Sequence, residues 1–172
     1  MDSLNYFEEK SIPTPFYEKI VVLILTISYI SLFFSGFFGS ESYNYEFSIL
    51  GWIIWLFGLL LAFTPNIVFK KHGGVPEGKS YVNTTKLVDT GIYSLLRHPQ
   101  YTGGLIIAFS VCLIVQNVVA YFFASIAITT TYLSMISEDK RMIIKFGEAY
   151  KQYMKQVPRC NFLIGFWKKK QN

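Results

Sequence analysis

The chain has 172 residues, enough for one domain, and is 52% hydrophobic and 18% aromatic but only 16% charged. That balance is too apolar and too low in charge for an ordinary soluble domain, and it makes a bilayer the natural solvent. The net charge of +5 comes without a separate basic domain or an aromatic RNA-reading motif, so it favours anionic headgroups over nucleic acid as a partner.

The chain opens on MDSLNYFEEK, an acidic start with no signal-peptide pattern. The first apolar run is longer than a cleavable core, so it is expected to stay as a span. Residues 20–38 and 47–69 are uncharged runs of 19 and 23 residues, and a bilayer core of roughly 30 Å takes about 20 residues of helix. Residues 101–137 form an uncharged run of 37, nearly twice one span. Gln116 and Asn117 lie near its middle, where a helical hairpin can turn. Starting the third helix at Pro99, which suits the first turn of a helix, gives spans at 99–115 and 118–137.

Between the second and third spans lies a polar loop with Gly73, Gly74, Pro76 and Gly78, long enough to be functional. Its Asn83-Thr84-Thr85 matches the glycosylation triplet, but the expected topology puts it in the cytoplasm, where the triplet is ordinary loop chemistry. It ends in LVDTG, from which Asp89 or Thr90 can cap a short helical turn over 92–97. After Ser137, the apolar residues Ile143, Phe146, Tyr150, Tyr153 or Met154, and Val157 recur at spacings of three and four. That period predicts an amphipathic helix over 138–157. Glu138 and Asp139 suit its N-terminus, unless the fourth span runs on into it.

With these spans, all sixteen Lys and Arg fall on one side, which the positive-inside rule makes cytoplasmic. The fold class is therefore all-α: one integral membrane domain over 1–172, with four spans, a cytoplasmic amphipathic helix and both termini inside. Cys112 and Cys160 belong to no CxxC or metal-spaced pair, so neither a disulfide nor a metal site is expected. The closing KKQN matches a dilysine retrieval signal, although a lysine-rich tail more commonly contacts the inner leaflet.

The chemistry-bearing residues gather at the basic ends of the last two spans. Taken singly, Arg97 is a snorkelling cation, Tyr93 and Tyr101 are interfacial anchors, His98 is an interfacial histidine, and Glu138 is a helix-start acid. Together, a histidine, two tyrosines and an acid at one membrane face, with Gly103 and Gly104 allowing close approach of a ligand to backbone, make a site.

LVDTGIY, RHPQY followed by Gly103, the acidic pair, FGEAYKQY and VPR occur in an order and spacing that resembles the isoprenylcysteine carboxyl methyltransferases and related phospholipid methyltransferases. The resemblance covers residues 85–159 and implies S-adenosylmethionine as cofactor. Its implied contacts are Thr85, Lys86, Leu87, Val88, Tyr93, His98, Pro99, Gln100, Tyr101 and Glu138. It also implies a lipophilic or prenylated acceptor, a small molecule or a protein, reached through membrane lipid.

In the carboxyl methyltransferases an arginine that contacts substrate precedes the acid by one helical turn, and here that position is Ser134. A serine cannot clamp a carboxylate with a bidentate charged pair, so Arg97 and Arg141 are the substitutes for substrate binding. His98 is the base or orienter: an amine acceptor must lose a proton, whereas a carboxylate needs no base near neutral pH. The leading reading is protein-S-isoprenylcysteine carboxyl O-methylation, and its alternative is phospholipid amine N-methylation. The chain also resembles the NADPH-dependent membrane sterol reductases, which share an RHPxYxG run but typically carry an asparagine and an acid where Gln100 and Gly104 stand here. A membrane scaffold without catalysis leaves His98 and Glu138 unexplained. Cofactor binding separates the three classes.

Overall fold

A computed structural model describes residues 16–40, 42–79 and 83–171. The acidic start, with Lys10, lies outside the described residues. Among the described residues every regular element is helical: α1 Phe16–Phe34, α2 Tyr45–His72, α3 Pro99–Val115, α4 Val118–Phe146, α5 Glu148–Gln156 and α6 Phe162–Gln171. Three helical stretches, Phe16–Phe38, Tyr45–His72 and Val118–Phe146, are long and apolar enough to cross a membrane, and Pro99–Val115 is a shorter apolar helix. At about 1.5 Å per residue, 17 residues of α3 reach about 25 Å, short of a full core, so α3 depends on its neighbours.

The helices pair antiparallel, α1 against α4 and α2 against α3. The α2–α3 seam is set by glycine: a Cβ on Gly103 would lie 2.5 Å from the Gly58 carbonyl oxygen and 2.7 Å from the Ala62 nitrogen. Within lipid, such backbone approach replaces the hydrophobic driving force that pairs helices in water. Gly103 is thus a packing glycine rather than a ligand-approach glycine, and of the expected pair only Gly104 reaches the cavity described below. Leu32, Ala108, Ala120, Ala124 and Ala127 form the buried centre among α1, α3 and α4.

One end of the bundle is tied by the side chains of Gln116 and Asn117, with Ser40 Oγ donating to the Gln116 carbonyl at 2.8 Å. Gln116, in the left-handed conformation at φ 55°, ends α3. Its Nε2 donates to the Asn44 carbonyl at 2.7 Å, and its Oε1 accepts from the Asn44 N–H at 2.8 Å. Asn117 caps α4 by accepting from Ala120 N–H, and its Nδ2 donates to the Ser35 and Gly39 carbonyls at 2.8 and 2.9 Å. These bonds join the α1–α2 turn to the α3–α4 turn and satisfy carbonyls that a helix end leaves open.

At the other end the expected boundaries change. The helix expected over 138–157 is two elements: α4 continues through Ser137 to Phe146, Gly147 at φ 60° breaks the chain, and α5 follows. Residues 137–146 contain no Gly or Pro to stop α4. Glu138 and Asp139 therefore lie inside a helix and not at its N-terminus. The segment expected over 92–97 is a 3₁₀ turn at Gly91–Ser94 whose preceding Thr90 makes no side-chain cap bond. α6 was not expected, because ten residues ending in lysines carry too little period to read.

Candidate functional site

Arg97 and His98 enter the site from the turn before α3. Their backbone N–H groups donate to the Pro158 and Arg159 carbonyls at 3.0 and 3.2 Å, so the segment after α5 fixes the RHP run from behind. Pro99 occupies the first turn of α3. From α4 come Glu138, Asp139 and Arg141. From α5 come Tyr150 and Tyr153, buried with Val157 against Leu87, Met142 and Phe146.

The centre of the polar cluster is Asp139. Its Oδ1 accepts from Arg97 Nη1 at 2.9 Å, Tyr150 Oη at 2.7 Å and His98 Nε2 at 2.8 Å, and its Oδ2 accepts from Arg159 Nε at 2.9 Å. An ionised carboxylate only accepts, so His98 carries its proton on Nε2 here and turns Nδ1 the other way. Burial first, then the bond to Asp139, pushes the Tyr150 hydroxyl well above the ordinary phenol range. Tyr150 is thus a neutral donor and no base. Burial opposes the charge on Arg159, but its bond to Asp139 outweighs this and raises its pKa.

A second cluster adjoins the first. Arg141 donates from Nη1 to Glu18 Oε2 at 2.6 Å, and from Nε to Glu138 Oε2 at 3.1 Å with a further contact from Nη2. One guanidinium between two carboxylates leaves this side net negative. Arg97 and Arg159 around one carboxylate leave the other side net positive. No disulfide joins Cys112 and Cys160, and the described residues contain no group of three or more His, Cys, Asp or Glu that could hold a metal.

Both clusters border a cavity of about 560 Å³, within the roughly 300–1,000 Å³ typical of small-molecule sites. Lys86, Leu87, Val88, Tyr93, His98, Pro99, Gln100, Tyr101 and Glu138 all line it, as do Arg97 and Arg141. Thr85 does not: its Oγ1 donates to the Gly74 carbonyl at 2.8 Å, while its neighbour Thr84 lines the cavity. Ser134 is also absent from the lining. It is buried within α4 with its hydroxyl returned to the Thr130 carbonyl at 2.9 Å. The cavity continues inward past Tyr29, Gly104 and Thr131, seven residues or about 10 Å along α4 from Glu138.

Sequence reasoning passed over Asp139, Glu18, Tyr150 and Arg159 as site-building residues. The Arg97–Asp139 and Glu18–Arg141 pairs join residues 42 and 123 positions apart, which no local period announces. The available signal was the acidic pair itself, in which Asp139 stands beside Glu138.

The pattern of the phospholipid methyltransferase family matches residues 47–149, more than half of the chain. The chain belongs to that family. Its helices and family make it an integral membrane protein. It is similar to a Schizosaccharomyces pombe protein-S-isoprenylcysteine O-methyltransferase, 33% identical over 42% of this chain and 31% of the relative. It is also similar to a probable 7-dehydrocholesterol reductase of Acanthamoeba polyphaga mimivirus, 24% identical over 69% of this chain and 29% of the relative. A Delta(14)-sterol reductase of Dictyostelium discoideum is 34% identical over 47% of this chain and 18% of the relative. The chain spans less than a third of each of these relatives. No solved structure matches it.

Proposed function

We propose that this phospholipid methyltransferase family member transfers a methyl group from S-adenosylmethionine to a lipophilic acceptor, with the leading reading that of protein-S-isoprenylcysteine carboxyl O-methylation. The observation that carries the cofactor assignment is the pairing of opposite charges on the cavity wall. Arg97 and Glu138 both line the cavity, and the Oε1 of Glu138 has no protein donor among the described residues. A carboxylate suits the arginine guanidinium, and an ammonium or ribose hydroxyl suits Glu138. The methionyl end of S-adenosylmethionine carries both charges.

When bound, S-adenosylmethionine supplies an electrophilic methyl on a sulfonium. The chain's part is positioning, since holding a nucleophile about 3 to 3.5 Å from that carbon in line supplies much of the acceleration. Arg97 and Glu138 hold the charged end, Tyr93 and Tyr101 offer aromatic faces, and the Lys86, Leu87 and Val88 strip with Pro99 and Gln100 closes one wall. Thr85 contributes by fixing that strip against Gly74. Asp139 orients His98, leaving Nδ1 as the proton acceptor when the substrate is an amine.

A second reading, phospholipid amine N-methylation, is favoured by one observation. Arg141 is engaged by Glu18 and Glu138, and Ser134 lies off the cavity, so neither clamps a substrate carboxylate. Of the three substrate candidates only Arg97 remains, and it already holds the cofactor's charged end. Incubation with labelled S-adenosylmethionine and a lipid extract, followed by identification of the product, decides between them. A prenylcysteine ester supports the first reading and a methylated amine headgroup the second. Binding of NADPH and not of S-adenosylmethionine would overturn both in favour of a reductase. Calorimetry should show Glu138→Ala weakening S-adenosylmethionine roughly tenfold or more, as loss of a charge-assisted contact of about 1.5–3 kcal/mol requires, and His98→Ala weakening it by removing a ring from the cavity wall. Unchanged affinity in both variants would remove these residues from the site.

A further inference from the structure

α6 stands apart from the cavity yet is fastened to its frame. Gly165 presses on the residue after the 3₁₀ turn, so closely that a Cβ there would lie 2.2 Å from the Leu95 carbonyl oxygen. Lys169 Nζ donates to Ser94 Oγ at 3.0 Å, and Lys168 Nζ donates to the Lys155 carbonyl at 2.8 Å. At its other end, Phe162 meets Phe57 of α2 with ring centroids 6.2 Å apart. Phe57 precedes the end of α2 by fifteen residues, about 22 Å of helix. α6 therefore rises from the flank of the bundle to its basic end.

Its outward face is apolar and uncovered: Leu163, Ile164, Phe166 and Trp167 are all exposed, beside the exposed Phe57. Lys168, Lys169 and Lys170 form its last turn. Residues 149–172 hold no Asp or Glu, so Lys155, Arg159 and the three lysines meet no acidic side chain from that stretch, and of these Arg159 alone shares Asp139. A face apolar below and cationic above matches one occupant, acyl chains under anionic headgroups.

We propose that α6 is a lipid-seated clamp. Its Leu163, Ile164, Phe166 and Trp167 face sits among acyl chains, and its lysines bind anionic headgroups. Through Gly165 and Lys169 that seating holds the Gly91–Ser94 turn, and with it Tyr93, at the cavity wall. The inference is independent of which cofactor the cavity takes.

Trp167 reports on it directly. In the full chain with Trp52→Phe and Trp55→Phe, Trp167 is the remaining tryptophan of three. In phosphatidylcholine nanodiscs carrying a small fraction of lipid with brominated acyl chains, brominated phosphatidylglycerol should quench Trp167 about twofold more than brominated phosphatidylcholine. High salt, or Lys168→Gln, Lys169→Gln and Lys170→Gln together, should remove the preference and keep the quenching. Equal quenching by both lipids in the native sequence overturns the anionic seat, and no quenching by either overturns the acyl placement. The coupling has its own readout: amide exchange over residues 91–96 should slow several-fold in phosphatidylglycerol discs, and Gly165→Leu, which lifts α6 from Leu95, should abolish the slowing. Exchange indifferent to both lipid and variant refutes the clamp.

Discussion

Asp139 accepts from Arg97, His98, Tyr150 and Arg159 at a side-chain exposure of 4%, so a change there reaches four partners at once. Asp139→Asn keeps the shape but removes the charge and turns an amide donor toward one of its donors. Breaking a buried charged set by removing one partner costs about 3–5 kcal/mol. A large drop in the thermal midpoint in detergent is expected, whereas Glu138→Gln, part-exposed and at the edge, should leave the midpoint nearly unchanged. Equal midpoints for the two variants would deny Asp139 its central place. Tyr150 gives the site a pH signature. Its hydroxyl titrates higher in the folded protein than the unfolded value of about 10. The proton is thus held more tightly when folded, and the stabilisation, complete below about pH 10, is lost as pH rises toward the folded value. Tyr150→Phe should be less stable near neutrality and flatten the alkaline limb of the midpoint-versus-pH curve; an unchanged limb would mean the phenol titrates normally.

The helices themselves follow from apolar run length and two turn residues, which is why α3 falls at Pro99–Val115 as the Pro99 start and the Gln116-Asn117 turn require. Their ends were less legible. α1 and α2 extend beyond their uncharged runs because Glu18, Lys19, Lys70 and Lys71 can reach water or a partner without breaking helix. The sequence leaves the continuation of α4 open because an amphipathic period looks the same whether it starts a helix or prolongs one. Gly103 shows the converse error: adjacent to Gly104, it reads as backbone opened to a ligand, and only the position of α2 assigns it to helix packing. Gly103→Ala forces its methyl against the Gly58 carbonyl, and overpacking of this kind costs about 1–3 kcal/mol. A lowered midpoint is expected for Gly103→Ala and a smaller drop for Gly36→Ala, whose Cβ meets nothing within 4 Å. Equal effects would show that the α2–α3 seam does not depend on backbone approach at Gly103.

At the scale of the molecule, the antiparallel pairing of the first four helices puts the α1–α2 and α3–α4 turns at one end and the site at the other. The described basic residues, from Lys19 to the three lysines of α6, follow the site. This polarity makes a topology prediction with two arms. By the positive-inside rule the basic end is expected in the cytoplasm, and the proposed reaction would then take its soluble cofactor from that side and its lipophilic acceptor from the bilayer. In a chain carrying Cys112→Ala and Cys160→Ser, a membrane-impermeant thiol reagent added outside sealed cells should modify Ser42→Cys in the α1–α2 turn and spare Glu77→Cys in the loop after α2; both positions are exposed. After permeabilisation both should react. Labelling of Glu77→Cys from outside would invert the protein in the membrane, and labelling of both in sealed cells would break the antiparallel pairing of α1 with α4 and α2 with α3. The Glu18–Arg141 bond stands on that pairing, since it joins the start of the first helix to the end of the fourth only if both lie at the same face.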